Sequence, residues 1–485
     1  MRIFSPRRNR LEKGVPTNSL SRFCPVLVAL CGLLFFPVSG LTQQGQAADS
    51  TGSDEENISV EVTAENPGAF REIGEPTTFT ISVSEGTQPL DVGSVSYTLS
   101  DDGFAPIEQD SLALTGKPVT VSGKLDRPGF LRCEVQVTRP DGSPVGGANA
   151  IAAVAYAPDE ISPSREIPVD FDAFWSAQKD RLAAVPMEAE LVRVQKIADR
   201  LVDGAVDLHD VKVRTETEWP VSGYFAKPRE AKAGSLPAVL WVHGAGVRSS
   251  SASKAISGAK KGFLSLDINA HGIPNGEPEA FYLMLEGEKG RLNNYRYQGR
   301  ENRDGSYFRG MFTRLVRAID FLTSQPEWNG EVMAVIGHSQ GGAQALAAGG
   351  LDDRVTFVGA GVPAMCDHTG MLRRRIAGWP KLVPLQPDGK PDPTIAEVSR
   401  YFDAVNFAAR CHAEAVVSVG FVDRTCPPTS CYAAFNQLRG EVEIINEPTM
   451  GHAAPREIQD AFWTALERHV ETRKAQAAHD AADAD

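Results

Sequence analysis

From about residue 55 to 157 the apolar and polar positions alternate with period two. Ile58, Val60 and Val62 form one apolar row, and Phe79, Ile81 and Val83 a second. Val95, Tyr97 and Leu99 form a third row, and Leu131, Cys133, Val135 and Val137 a fourth. Turn signals separate the rows: Glu65-Asn66-Pro67-Gly68, Asp101-Asp102-Gly103 and Pro140-Asp141-Gly142. Successive side chains of a strand point to opposite faces, so each row reads as a half-buried strand. Short strands at this spacing, with no helical pattern among them, predict a β-sandwich of about 100 residues. The Cys-Trp-Cys pattern of true immunoglobulin domains is missing. The segment is therefore assigned as an Ig-like β-sandwich over residues 49–160, closed by a linker at 157–164.

Beyond residue 165 the period changes. Phe171, Phe174, Trp175 and Leu182 share one face of a helix that Asp170 or Asp172 would cap. Val211 to Thr215 and Val221 to Ala226 read as an antiparallel leader pair. Apolar runs then alternate with helical ones. Residues 237–242, 262–266, 355–358, 415–419 and 442–445 read as buried strands. Met311, Phe312, Leu315, Ile319 and Leu322 mark a helix between strands, and Ile458, Phe462, Leu466 and Val470 mark the last one. This alternation predicts an α/β domain over 161–473, with a doubly wound, mostly parallel sheet covered on both faces. Residues 364–400 interrupt the rhythm and are expected as a lid or specificity insertion. The Ala/Asp-rich residues 474–485 are expected to form a disordered tail.

The chemistry is carried by Gly337-His338-Ser339-Gln340-Gly341, the only Gly-x-Ser-x-Gly match in the chain. A short apolar strand, residues 331–336, precedes it, and a run of strong helix formers, Ala343 to Ala348, follows. Strand, sharp turn and helix make the nucleophile elbow of an α/β-hydrolase. A serine needs a contacting base, and the base needs an orienting acid. In this fold the order along the chain is Ser, then Asp or Glu, then His, each at the carboxyl end of a strand. Asp423 follows the strand at 415–420, and His452 follows the strand at 442–445. Asp367 and Asp403 do not directly follow an apolar strand. The tetrahedral intermediate needs preorganised donors for its oxygen. The backbone amide of Gln340 supplies one. The turn His243-Gly244-Ala245-Gly246 after Val242 supplies the other, with Ala245 as the donor. His243 reads as a structural turn histidine and His338 as an elbow neighbour pointing away from Ser339. This mechanism calls for no metal and no organic cofactor.

Composition narrows the setting. The chain has 485 residues and a formal net charge of −13, a field that repels phosphate backbones and argues against nucleic acid as a partner. The first 48 residues read as an export signal: Arg2, Arg7, Arg8, Arg10 and Lys13, then an apolar core at 25–36, then small residues at 38–40 and 46–48. The apolar run is short for a membrane span, so no stable span is expected after cleavage, and the folded part is expected to be periplasmic or secreted. Five cysteines lie beyond that segment, an odd number, so at least one is unpaired within the chain; Cys426 and Cys431 are spaced to allow a bridge.

Several stretches together resemble the acetyl xylan esterases related to cephalosporin C deacetylases, carbohydrate esterase family seven. They are Ile167-Pro168-Val169-Asp170-Phe171-Asp172-Ala173-Phe174-Trp175, the elbow with Gly350-Leu351-Asp352-Asp353-Arg354-Val355, residues 401–408, and Gly420-Phe421-Val422-Asp423-Arg424-Thr425-Cys426-Pro427-Pro428. The resemblance implies a serine esterase that removes acetyl groups from acetylated xylan fragments or other small acetate esters through an acyl-enzyme. It assigns the triad to Ser339, Asp423 and His452. It also implies a homo-oligomer, a ring-shaped hexamer in that group, although an added β-domain changes the surface free for assembly. Two motifs depart from the group: its Arg-Gly-Gln is here Ala270-His271-Gly272, and its His-Glu is here His452-Ala453. An α/β-hydrolase with another substrate, a peptidase or other carboxylesterase, shares the elbow. A non-catalytic glycan-binding surface protein is disfavoured by the intact serine, acid, histidine and oxyanion turn.

Overall fold

The computed structural model describes residues 57–197 and 200–484. The expected export signal at 1–48 lies outside the described residues. Among the described residues the first region contains strands Ile58–Ala64 (β1), Thr77–Glu85 (β2), Gln88–Pro89 (β3), Ser94–Asp101 (β4), Pro106–Ala113 (β5), Val119–Gly123 (β6), Gly129–Thr138 (β7) and Pro144–Tyr156 (β8). They form two antiparallel sheets, β1-β2-β3 with β6 beside β2, and β5-β4-β7-β8. The four apolar rows pair two by two. Val60 faces Val83 and Val62 faces Ile81. Val95 faces Val137, Tyr97 faces Val135 and Leu99 faces Cys133. Their inward side chains meet in one core, which is what alternation with period two produces when two sheets stack.

The segment expected as a linker is pinned rather than loose. Ile161 is buried, and Asn436 Nδ2 donates to the carbonyls of Pro158 (2.9 Å) and Ile161 (2.8 Å).

The remaining strands are Glu190–Arg193 (β9), Lys196–Ile197 (β10), Arg200–Leu201 (β11), Val206–Val213 (β12), Val221–Pro228 (β13), Leu236–Val242 (β14), Leu264–Ile268 (β15), Trp328–His338 (β16), Phe357–Gly361 (β17), Glu414–Gly420 (β18) and Val442–Glu447 (β19). β10 and β11 form a separate ribbon, and the others form a sheet in the order β19-β18-β17-β16-β14-β15-β13-β12-β9. The strands from β15 to β19 in that row run parallel, while β13, β12 and β9 add antiparallel edges. The chain moves from β14 to β15 on one side and then to β16 on the other. That reversal opens a crevice at the carboxyl ends of β14 and β16, where open α/β sheets bind ligands.

Helices are Phe171–Ala183 (α1), Ala252–Lys260 (α2), Glu279–Glu286 (α3), Tyr307–Thr323 (α4), Gln340–Leu351 (α5), Pro393–Ser399 (α6), Ala404–Ala408 (α7), Pro428–Phe435 (α8) and Arg456–Ala484 (α9). They explain the unbroken apolar strand runs, because both sheet faces are covered. Ala238, Leu240 and Val242 of β14 pack with Leu315, Ile319 and Leu346 of α4 and α5. Val239 and Trp241, one residue out of phase, pack with Ile458, Phe462 and Leu466 of α9. Asp170 holds the N-cap position of α1 but makes no side-chain cap bond; its carboxylate accepts from Arg303 (2.6 Å) and Tyr401 (2.5 Å) instead.

One expectation is corrected. Residues 474–484 are not a disordered tail but continue α9, because an Ala-rich run lengthens an existing helix at little cost per residue. Residues 364–400, expected as a lid or specificity insertion, are anchored in the core at several points and exposed at others, Leu372 and Leu385 among them. Met365, Cys366, His368, Leu382 and Val383 are buried, and Trp379 N donates to Thr425 O at 2.8 Å. No helix among the described residues is long and apolar enough to cross a membrane.

Candidate active site

Ser339 sits between the end of β16 and the start of α5 with φ +59° and ψ −123°, a conformation that costs a non-glycine residue about 1–3 kcal/mol. The surroundings hold it there. Ser339 N donates to Gly361 O (2.8 Å), and its carbonyl accepts from Ala343 N (3.1 Å) and Ala364 N (3.0 Å). Two glycines are required by close approach. A Cβ on Gly337 would lie 2.5 Å from the carbonyl carbon of Gly341, and a Cβ on Gly341 would lie 2.4 Å from Val242 O. The elbow is therefore pressed directly against the end of β14.

The three residues expected at strand ends meet at this point. Ser339 Oγ lies 3.0 Å from His452 Nε2, and His452 Nδ1 lies 2.8 Å from Asp423 Oδ2. Asp423 is fully buried. Its Oδ1 accepts from the amides of Thr425 (2.7 Å) and Cys426 (2.9 Å), so only Oδ2 faces the imidazole. A carboxylate can only accept, which puts the imidazole proton on Nδ1 and leaves Nε2 free to take a proton from the serine. The loops of acid and base are also joined directly, Val422 N donating to Met450 O at 3.3 Å.

Gln340 opens α5, so its amide is one of the orphan donors of a helix N-terminus, where the backbone dipole is positive. Ala245 lies in the turn after β14, and Gly244 of that turn is packed beside Ser339: a Cβ built on it would stand 3.6 Å from the serine Cβ. Among the described residues neither the Ala245 nor the Gln340 amide has a hydrogen-bond acceptor.

Sequence reasoning missed the groups that hold this turn. Tyr295 Oη donates to Gln340 Oε1 (2.7 Å) and accepts from Gly246 N (3.3 Å), tying the turn to the elbow helix. His271 Nε2 donates to Gly246 O (3.0 Å), and its Nδ1 meets Tyr307 Oη (2.5 Å). Burial pushes the His271 imidazole down to about 4, so it stays neutral. The departure at Ala270-His271-Gly272 thus still buttresses the turn. No local pattern marks Tyr295, which opens a single 3-10 turn, Tyr295–Tyr297, in a stretch rich in turn residues.

The other weighed candidates have structural duties. His243 Nδ1 is bonded to Gly244 O (2.5 Å) and its Nε2 accepts from Ala270 N (3.1 Å). The His338 ring stacks on Phe462 on the α9 side of the sheet. Asp403 caps α7 and accepts from the amides of Asp367 and His368. Asp367 accepts from Ser164 N and pairs with Arg375. All five described cysteines are free and buried, so Cys426 and Cys431 are not bridged. Among the described residues the one group with metal-ligand proximity is Asp423, Cys426 and His452. Its acid and imidazole are already paired with each other, and burial pushes the Cys426 thiol well above its usual range, away from the thiolate a metal prefers.

A sequence profile of the family described as Acetyl xylan esterase (AXE1) matches residues 158–465. The chain belongs to the acetyl xylan esterase family. This esterase is 31% identical over 382 residues to the acetyl esterase Axe7A of Xylanibacter ruminicola, covering 78% of this chain and 83% of that one. Its fold is similar to that of an acetyl xylan esterase from Paenibacillus sp. R4, with a TM-score of 0.55 at 25% identity over 64% of this chain and 98% of that one. Acetyl xylan esterase 1 from Thermoanaerobacterium sp. JW/SL YS485 gives 0.53 at 21% identity over 63% and 96%, a likeness of fold. The esterase is a carboxylic ester hydrolase built on the α/β-hydrolase fold, and the β-sandwich lies outside the residues that the family profile matches.

Proposed function

We propose that this esterase removes acetyl groups from acetylated xylan fragments and related small acetate esters, with Ser339 as nucleophile, His452 as base and Asp423 as its orienting acid. The observation that carries the reading is the unbroken hydrogen-bonded path from Ser339 Oγ through His452 to Asp423, at 3.0 and 2.8 Å. His452 Nε2 takes the serine proton as Oγ attacks the acetyl carbonyl. The resulting oxyanion meets the amides of Ala245 and Gln340, and each such donor is worth about 10²–10³ in rate. The sugar hydroxyl leaves with the proton from His452. Water, deprotonated by the same imidazole, then cleaves the acetyl-serine to acetate. The relatives named for acetyl xylan and acetyl ester substrates support acetate as the acyl group.

Acetate release from acetylated xylo-oligosaccharides, measured beside longer acyl esters and peptides, tests the substrate. The expected result is a preference for acetate that Ser339→Ala abolishes; equal or greater turnover of peptides or long acyl chains overturns it. Export belongs to the same proposal, supported by the basic start and the apolar run at 25–36. Intact mass of the protein recovered from cell fractions tests it, and an unprocessed cytoplasmic chain overturns it.

A further inference from the structure

The β-sandwich reaches the loop between β18 and α8 that carries Asp423, and it does so at several successive residues. Arg132 of β7, 1% exposed, donates from Nη2 to Asp102 Oδ1 (2.5 Å) and to the backbone carbonyl of Asp423 (3.1 Å). Asp102, fully buried after β4, accepts at Oδ2 from Thr429 Oγ1 (2.6 Å) and Thr429 N (3.3 Å) at the start of α8. Glu134 pairs with Arg424 at 2.7 Å and stands 3.6 Å from Arg132 Nη1. Phe130 packs between Phe421 (5.0 Å between ring centroids) and Tyr432 (5.7 Å). Residues 421, 423, 424, 429 and 432 are thus all held from outside the hydrolase domain.

We propose that the β-sandwich is a positioning element for the acid of the triad, and that Arg132, bridging Asp102 and the Asp423 carbonyl, is the residue through which it acts. The proposal rests on reading Asp423 as that acid. A buried ion pair is a poor choice for mere adhesion, because well-packed apolar residues of the same volume hold as well or better. What a buried arginine adds is direction: both bonds leave the planar Nη2 group, whose two N–H bonds are fixed in the guanidinium plane and so set the angle between the two acceptors. Here one acceptor is the main chain of the residue whose carboxylate must meet His452 Nδ1. The inner side of the loop has its own restraints, the Thr425 and Cys426 amides on Oδ1, and Arg132 supplies the outer one. A displacement of about 1 Å at such a point costs about 10²-fold in rate.

The test is Arg132→Lys in the full chain, assayed on 4-nitrophenyl acetate. The ammonium keeps a positive charge beside Asp102 but sits on a shorter side chain with freely rotating N–H bonds, so it loses the reach and the fixed in-plane directions of the Nη2 group that meets both acceptors. The expected result is a kcat about 10- to 100-fold lower with KM within about twofold. In an Asp423→Asn background the same substitution is expected to add less than about twofold, because the two act through one geometry. Ser59→Ala, on the exposed face of β1 and away from the Asp423 loop, serves as a control with kcat unchanged. A wild-type kcat for Arg132→Lys with only a lowered melting temperature overturns the proposal, as does a full additional loss in the Asp423→Asn background. If Arg132→Lys does not fold, Thr429→Val carries the test, since it removes the 2.6 Å hydroxyl bond to Asp102, leaving only the 3.3 Å amide contact to α8, without removing a charge. A several-fold fall in kcat supports the proposal, and a wild-type kcat overturns it. Failure of the triad reading itself would show separately, as wild-type activity in Ser339→Ala.

Discussion

Asp423→Asn isolates the orienting role proposed for the acid, and the structure dictates how the amide must turn. Asp423 Oδ1 accepts two backbone amides, from Thr425 and Cys426, so an asparagine must keep its oxygen there. Its NH2 group then faces His452 Nδ1, where Oδ2 now sits 2.8 Å away. Two donors cannot share that contact, so the imidazole is forced to carry its proton on Nε2, pointing at Ser339 Oγ. The base is lost while the fold is kept. Wrong-tautomer substitutions of this kind cost about 10⁴ in kcat, equivalent to about 5 kcal/mol of transition-state stabilisation. Steady-state hydrolysis of 4-nitrophenyl acetate measures it, with KM expected to stay within a few-fold because substrate does not touch the acid. Thermal melting should not fall, since the change removes a buried charge and leaves the two amides bonded. A kcat within tenfold of wild type, or a loss confined to KM, refutes the reasoning.

Other outcomes follow from the same geometry. Gly341→Ala drives a methyl to 2.4 Å from Val242 O and is expected to lower stability by about 2–4 kcal/mol, read by urea unfolding; a wild-type midpoint would refute the close-packed elbow. His271, held down at about 4 by burial, refuses a proton that the unfolded chain takes up near 6.5. It therefore contributes stability above pH 6.5 that drains away as pH falls toward 4. His271→Gln should make unfolding free energy about 2 kcal/mol less dependent on pH between 7 and 5. An unchanged slope in paired urea titrations would refute this, and Asp267, pushed up to about 7 by burial, acts with the opposite sign in both proteins. Removing residues 475–485 should leave the melting temperature unchanged, because Val470 is the last core residue of α9; a fall of several degrees would refute it.

The parts legible in sequence were those set by local rules. Period two gave the rows that pair as β1 with β2 and β4 with β7. Runs apolar on both faces gave the parallel strands. The elbow glycines announced a turn that no larger residue can make, and the strand-end positions of Asp423 and His452 followed from chain order. Legibility failed where contacts join distant segments. Nothing near Asp423 signals that Arg132, 291 positions earlier, holds its carbonyl. Nothing near Ala245 signals that Tyr295 and His271 hold its turn. The tail departs from the expectation because a segment without large apolar residues offers nothing to bury, whereas an established helix needs little more than alanine to continue.

The seam between the β-sandwich and the hydrolase domain has a practical consequence. Dividing the gene at the start of the family match, near Pro158, would bare Phe421 and Tyr432, both buried beside Phe130, and would strip Thr429 of its carboxylate acceptor. A catalytic half expressed alone would carry a sticky apolar scar next to its reactive centre. Any transplant of this hydrolase into a fusion or onto a new carrier should therefore take both halves as one indivisible cassette.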